Sequence, residues 1–400
     1  MRAVNFVIET LSHFARDVQG PPPGVPFAAD AEFETDLVSL CQRQRLSAMV
    51  SLSFDELALP PTISRITIAR LNDHAEALTR RSERRARLAA RVTAALGNAD
   101  VRAALLGDVW SAARVPDAFR IRPVEWIDVM IDETRWSEAV GAMRELGFVR
   151  SRIQPRLADW SHALRYHQYF APLVMHNQEG DSLRLRFRVI DFGDPGRENP
   201  AWERVSQMEA GGEPAPAVAR EDQLIHSLIS FGAEGFVDLL YVLDAGWVIA
   251  GSTPSLDWEY VARRVRARGF YPALYFALEH VCDILKMPRV ADPLEAPSSL
   301  RRRVFNAWWR PHDADYYGET EPTGGRFAYG LIEGGGPWAK MLWLRRALFP
   351  RSAWVRSVYG RPANLWLRMK FLHDVRSGRR RRFEDSPDTG GGVTDINELR

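Results

Sequence analysis

The stretch Val101–Asp132, VRAALLGDVWSAARVPDAFRIRPVEWIDVMID, decides how the rest of the chain is read. Val101–Leu106 is a short apolar run that ends at Gly107–Asp108. Glu125–Ile131 is a second run, with the β-branched enrichment and alternation of a strand. Between them lie a short helical segment and an arginine-bearing connection. A period of two sets Trp126 and Asp128 on one face of the second strand and Glu125 on the other. Asp108 follows the turn glycine, where it can cap the next helix or offer an oxygen ligand from the turn.

Downstream, Asp132–Gly147 predicts an amphipathic helix. Trp136, Ala139, Val140, Met143 and Leu146 share a face, Asp132 or Thr134 can cap its start, and Gly147 can end it. Phe148–Ile153, Ala163–Phe170 and Ser182–Phe192 read as further strands. The last alternates strictly, with Leu183, Leu185, Phe187 and Val189 on one face and Arg184, Arg186 and Arg188 on the other. Residues 101–193 therefore form a small α/β unit. Asp194–Ala219 is rich in Pro, Gly and Glu and reads as a polar loop at a boundary.

Both flanks are helical in pattern. In 1–100, Phe33, Leu37, Leu40 and Cys41 recur at helical spacing, and a long Ala-, Arg- and Leu-rich pattern runs from about Ile63 to Leu96. Its block RRSERRARLAARV reads as a solvated face whose arginine stems lie over apolar neighbours. In 220–376, four helices are marked by Leu224–Ile229, Phe236–Ala250, Trp258–Val265 and Leu274–Leu285, with Pro272 suited to a first turn. A basic tail, 377–400, has the composition of a disordered segment.

Composition narrows the class. The chain has 400 residues, 46% hydrophobic and 26% charged, with a net charge of +2, so no overall field directs it to nucleic acid or membrane. Cys41 and Cys282 cannot build a disulfide framework, and the N-terminal run broken by Glu9 lacks the pattern of a signal peptide. Phe236–Ala250 is too short to span a bilayer and carries Asp238 and Asp244. A cytoplasmic setting is the expectation. No P-loop, G-x-S-x-G, C-x-x-C or H-E-x-x-H sequence is present.

The order LLG, RPVEWIDVMID, a helix ending in LGF, and then EDQLIHSLISFGAEGFVDLLYVLDAGWVIAGSTPSLDWEYVARRVRARGFYPALYFAL resembles the bacterial family of uncharacterised nucleotidyltransferases. The resemblance covers roughly residues 35–360, and its C-terminal helical pattern is the most specific part. It implies a small mixed-sheet nucleotidyltransferase-like α/β domain flanked by N- and C-terminal helical regions. It implies Mg2+ as cofactor and a nucleoside triphosphate as donor, with a small molecule or peptide as acceptor and no specific nucleic acid. Gly107 matches the family's turn glycine, and Arg122, Pro123 and Asp128 match the strand motif. Leu106 stands where a lysine is usual, Trp126 where the first aspartate is, and Arg184 and Arg186 where an acid and a histidine are. His226, Asp244, Asp257 and Trp258 match the helical positions.

These departures bear on the chemistry. Magnesium takes oxygen ligands in a near-octahedral shell, and a D-x-D pair supplies two because alternate side chains converge. Here the pair is Trp126 and Asp128. Asp128 thus stands as a surviving metal ligand and catalytic residue, as an aspartate paired with an arginine, or as a plain strand residue. Gly107, Asp108, Arg122, Arg184 and Arg186 are the nucleotide-binding candidates, arginine being suited to phosphate; an exposed sheet face is the competing reading of the strand arginines. Asp191 or Asp194 can replace the missing acid or serve a turn. His162, His167 and His176 lack metal spacing, His226 reads as a hydrogen-bonded core histidine, and Asp244 needs a partner such as an arginine if buried. The C-terminal LWLRMKFLHDVRSGRRRRF mixes aromatic, leucine and arginine residues, which suits either packing on its own domain or an anionic membrane surface. Taken together, the residues point to a family member with reduced or lost nucleoside-monophosphate transfer and retained nucleotide or partner binding. An active Mg2+-dependent transferase and a membrane-surface accessory protein of peptide or polysaccharide biosynthesis are the alternatives.

Overall fold

The computed structural model describes residues 2–15, 29–56, 63–114, 118–151, 172–189, 199–251, 255–268 and 270–288, with isolated positions in 294–305 and 365–370. Four helices come first: α1 (Arg2–Ala15), α2 (Ala31–Gln44), α3 (Ser47–Glu56) and α4 (Arg65–Asn98). Local chemistry sets their ends. Asp30 caps α2 by accepting from the Phe33 amide at 2.8 Å, and Ser64 caps α4 by accepting from Thr67 at 3.2 Å. Arg45 closes α2 in the left-handed region, with φ 59°.

The sheet follows. Strand β1 (Ala103–Leu106) turns through Gly107 into α5 (Asp108–Arg114), and α6 (Ala118–Ile121) leads to β2 (Ile127–Ile131). Every residue of β1 and β2 is buried, as expected of central strands. Asp132 caps a short 3-10 turn before α7 (Trp136–Glu145), and Gly147 ends that segment with φ 83°. Next come β3 (Val149–Arg150), β4 (Leu173–His176), β5 (Ser182–Arg186), β6 (Ser206–Ala210) and β7 (Glu213–Ala217). The strand order is β3-β4-β5-β2-β1-β7-β6. Strands β1 and β2 run antiparallel, while β2–β5 and β1–β7 run parallel, so the sheet is mixed as expected.

Helices α8 (Arg220–Ala233), α9 (Leu239–Ala250), α10 (Trp258–Arg268) and α11 (Tyr271–Ile284) complete the order. All four fall where helical spacing places them, with Pro272 in the first turn of α11. A single apolar cluster runs from Ala3 to Phe305, and α4 packs across β1, β2, β6 and β7 to join the N-terminal helices to the sheet.

Three local expectations are revised. Among the described residues of Phe148–Ile153 only Val149–Arg150 is strand, as β3, and the strand read over Ser182–Phe192 ends at Arg186, with 187–189 outside it. Ala163–Phe170 and the tail 377–400 lie outside the described residues. Within the stretch read as a polar loop, Ser206–Ala217 is a hairpin that extends the sheet. Gly211 and Gly212, both at positive φ, supply the two-residue turn this hairpin needs.

The arginine block of α4 is likewise more than a solvated face. Arg85 is buried, and it donates to Asp181 at 3.1 Å and to the carbonyls of Val124 and Glu125 at 2.9 and 2.6 Å. Arg84 reaches the same aspartate at 2.5 Å. These two side chains tie α4 to the β4–β5 turn and to the entry of β2.

An arginine-clamped candidate active site

The centre of the site is Asp128, the second residue of the wholly buried β2. Its register partners are Leu106 on β1 and Arg184 on β5. The alternation that puts Trp126 and Asp128 on one face puts Arg184 and Arg186 on that face of the neighbouring strand. Arg184 donates through Nη2 to Asp128 Oδ2 at 2.6 Å, and Arg186 donates through Nε to Oδ1 at 2.7 Å. Each carboxylate oxygen is therefore held by its own guanidinium. Burial raises the cost of the Asp128 charge, but Arg184 and then Arg186 more than offset it and hold its pKa below the usual carboxylate range. Arg184 also lies over the Trp126 indole, 4.6 Å from its centroid. The strand arginines are thus engaged with the sheet's own groups, and Arg186 and Arg188 are buried rather than on an open face.

The turn behind Asp128 is equally occupied. Gly107 has φ +67°, which favours glycine, and a Cβ there would lie 3.0 Å from Asp128 Oδ2. Its amide, the donor such a turn would offer to an anion, goes instead to Gln223 Oε1 at 2.8 Å. Gln223 on α8 also donates to Ser111 Oγ at 3.1 Å and to the Gly107 carbonyl at 3.4 Å.

Asp108 looks inward as well. Its Oδ2 accepts from the amides of Glu125 and Trp126 at 2.9 and 3.0 Å, and its Oδ1 accepts from Arg122 Nη2 at 2.8 Å. It fastens the turn to the entry of β2. Arg122, 1% exposed, also makes a forked contact with Asp244 on α9 at 2.7 and 2.8 Å. Asp244 has the arginine partner its burial requires. Burial and Arg122 act oppositely on both aspartates: Arg122 prevails at Asp108, whose pKa is lowered, and burial prevails at Asp244, whose pKa is raised. A further link, Arg45 to both Glu125 and Asp238, ties α2 to β2 and the start of α9.

Of the candidates, Gly107, Asp128, Arg184 and Arg186 meet at one point, and Asp108 and Arg122 form a second cluster beside it. His226 is a core histidine, with Nδ1 3.2 Å from the Val189 carbonyl. His176 pairs with Ser182 at 3.0 Å. His162, His167, Asp191 and Asp194 lie outside the described residues. Gln223 and Arg45 carry no local signal in the sequence. Their roles arise from contacts with residues far along the chain.

A turn between antiparallel β1 and β2, with β5 parallel to β2 and an acid near the start of β2, is the geometry the sequence motifs imply. A family model described as "Uncharacterised nucleotidyltransferase" matches residues 31–286, well over half of the chain. The chain belongs to that nucleotidyltransferase family. No curated protein and no solved structure matches it. For a nucleotidyltransferase-family protein the implied group is magnesium, and the residues at the motif positions do not fit it. Trp126 and Arg184 offer no oxygen, both oxygens of Asp128 are bonded to arginine, and the oxygens of Asp108 are bonded to Arg122 and two amides. Among the described residues, no three His, Cys, Asp or Glu side chains stand together in a way that could hold a metal ion.

Proposed function

We propose that this nucleotidyltransferase-family protein does not transfer a nucleoside monophosphate and instead binds its ligand, a nucleotide in the first instance, without magnesium. The observation that carries this reading is the pair of guanidinium groups on the two oxygens of Asp128. Arg184 and Arg186 supply the positive charge that a metal would bring, fixed to the protein by covalent bonds. A metal in transferases of this kind neutralises charge on the triphosphate and helps hold the reacting oxygens in line. Two arginines can neutralise charge, but they are already committed to Asp128 and do not present an open coordination position. Beside Asp128, Trp126, Arg184 and His176 are half-buried, with Arg184 over the Trp126 ring at 4.6 Å and the His176 ring 6.3 Å from that indole. An arginine lying on an indole suits a planar, anionic ligand, because both aromatic stacking and charge-assisted hydrogen bonding are on offer.

The competing reading is an active Mg2+-dependent transferase that acts on a small molecule or peptide with Asp128 as its metal ligand. Membership of the family and the aspartate kept on β2 favour it. Calorimetry with nucleoside triphosphates, with magnesium and with chelator, separates the two. The expected result is binding of similar affinity in both conditions, with no release of pyrophosphate. Magnesium-dependent binding that disappears in Asp128→Asn would establish the transferase reading. A gain-of-function variant adds a second arm. Trp126→Asp combined with Arg184→Glu rebuilds the acidic face, and magnesium should then raise its melting temperature while leaving the wild type unchanged. Absence of nucleotide binding in all conditions would redirect the search to a partner protein.

A further inference from the structure

Among the described residues the sheet has two edges, β3 and β6. β3 is two residues long, and β6 runs for five, Ser206–Ala210. The inner side of β6 pairs one-to-one with β7, from Ser206↔Ala217 to Ala210↔Glu213, without a bulge. The prolines of β7 fix which way the β6 backbone faces. In an antiparallel ladder, pairs that exchange both hydrogen bonds alternate with pairs that exchange none. Pro216 and Pro214 have no N–H to give, so their partners Gln207 and Glu209 occupy the non-bonded positions. The pair Ala210↔Glu213, which closes the two-residue turn, sets the same parity. Ser206, Met208 and Ala210 therefore turn their N–H and C=O groups toward β7, and Gln207 and Glu209 turn theirs outward.

That outer edge is open, and the strand that carries it is anchored. Ser206, Gln207 and Glu209 are exposed. Among the described residues, no backbone group of Gln207 or Glu209 finds a partner outside the hairpin. The turn behind the strand is seated: a Cβ at Gly211 would lie 2.5 Å from the Arg87 backbone nitrogen on α4. Met208 and Ala210 fix the other face of the strand in the core. Sheet edges are usually blunted by proline, lysine, a bulge or a covering element. β6 contains no proline, lysine or bulge, and its single charge is Glu209.

We propose that β6 pairs antiparallel with β6 of a second copy of this chain, joining two sheets into one across a twofold axis at Met208. Only residues with outward groups can bond across such a joint, which leaves three symmetric registers. Centring on Glu209 sets that carboxylate against its own copy, which is unfavourable. Centring on Gln207 sets Glu209 opposite Val205, outside the strand. Centring on Met208 sets each Gln207 opposite the partner's Glu209, so both outward residues of each copy are bonded. Each carboxylate then faces the side-chain amide of a glutamine, which can donate to it. Of the three, this register makes the strand complementary to itself, as an interface between identical surfaces requires. The proposal is independent of what the Asp128 site binds.

Sedimentation velocity of the full chain over about 1–100 µM tests it, and a monomer–dimer equilibrium within that range is the expected result. Gln207→Pro removes an outward N–H and no bond of the hairpin, so it should leave only monomer over the same range. A melting curve that matches the wild type would show that this variant is folded. Two charge variants decide the matter even if it is not. Gln207→Glu sets carboxylates against each other at two symmetric positions and should weaken the dimer about 2- to 30-fold, whereas Gln207→Lys should tighten it by a similar factor. High salt should shrink both differences. A wild-type monomer throughout the range, a dimer retained by folded Gln207→Pro, or charge variants that move together or not at all would overturn the proposal.

Discussion

Asp128 in the sheet and Asp222 in the first turn of α8 are both buried carboxylates with no exposed surface, yet they sit in opposite electrostatic settings. Asp128 touches two guanidinium groups at 2.6 and 2.7 Å, and its pKa is held below the ordinary range despite burial. Asp222 has the Tyr260 hydroxyl within 3.0 and 2.9 Å of its two oxygens, and Arg264 stands off at 3.5 Å. There burial prevails over Arg264 and the tyrosine hydrogen bond, and the pKa rises. The difference shows that depth alone does not decide a buried acid's charge. Asp128 is touched by two cations, while Asp222 is touched by none at short range, and Asp244, held by one guanidinium that it shares with Asp108, also rises, so the balance of burial against the number of close cations sets the direction. Asp128 is a standing anion that neutralises arginines. Asp222 is a buried acid whose pKa is raised above the ordinary carboxylate value.

That contrast can be broken at several points. Arg122→Met should have the largest effect, because it strands Asp108 and Asp244 together in the interior. A loss of about 3–5 kcal/mol in unfolding free energy is expected by denaturant titration, as for other broken buried pairs. Asp128→Ala leaves Arg184 and Arg186 without their common partner. Arg184 keeps a path to water, so the loss should fall near the lower end, about 3 kcal/mol. A change under about 1 kcal/mol in either variant would show that the clamps contribute little to the fold. Tyr260→Phe removes the hydroxyl from Asp222, and about 1–3 kcal/mol is expected for the donor lost.

Asp222→Asn should be the mildest, under about 1 kcal/mol at neutral pH, since the asparagine oxygen can still accept from Tyr260. Its informative readout is the pH dependence of stability. The folded pKa of Asp222 is raised, so the wild type loses stability as pH climbs from the unfolded value of about 3.9 through that raised value. Asparagine removes this slope. Asp128 has the opposite sign: its contribution is present above about 3.9 and is lost as pH falls through its lowered folded value. Melting curves of Asp222→Asn that keep the wild-type slope above pH 4 or so would contradict the assignment.

Much of the fold is legible in local pattern. The runs around Gly107 and Asp128 alternate and terminate as strands do, and the later helices announce themselves by spacing and by Pro272. The face shared by Trp126, Asp128, Arg184 and Arg186 follows from a period of two once β5 is set beside β2. The hairpin at Ser206–Ala217 is harder to see, because SQMEA and EPAPA lack β-branched residues and β7 carries two prolines. Those prolines are tolerated because β7 meets β1 in register only at Ala217, so Pro214 and Pro216 face no second ladder. The Gly211–Gly212 turn is the one local sign of it. The burial of Asp244 calls for a cation, but nothing nearby says that the cation is Arg122. The contact between Gln223 and Gly107 joins residues whose neighbourhoods carry no mark of each other. Long-range pairing of this kind is decided by tertiary packing, and spacing along the chain does not encode it.

The bonds from Gly107 to Gln223 and from Arg122 to Asp244 span 116 and 122 positions of sequence. A growing chain presents its residues in order, so the turn and the arginine leave the ribosome long before their partners. At about 5–20 residues per second, the wait is on the order of 6–24 seconds. During that time the Gly107 amide lacks Gln223 and Arg122 lacks Asp244, the partner it grips at two points in the finished fold. The clamped site is therefore a late product of synthesis. A nascent chain halted before Gln223 would display the open form of the turn, and the finished protein closes it.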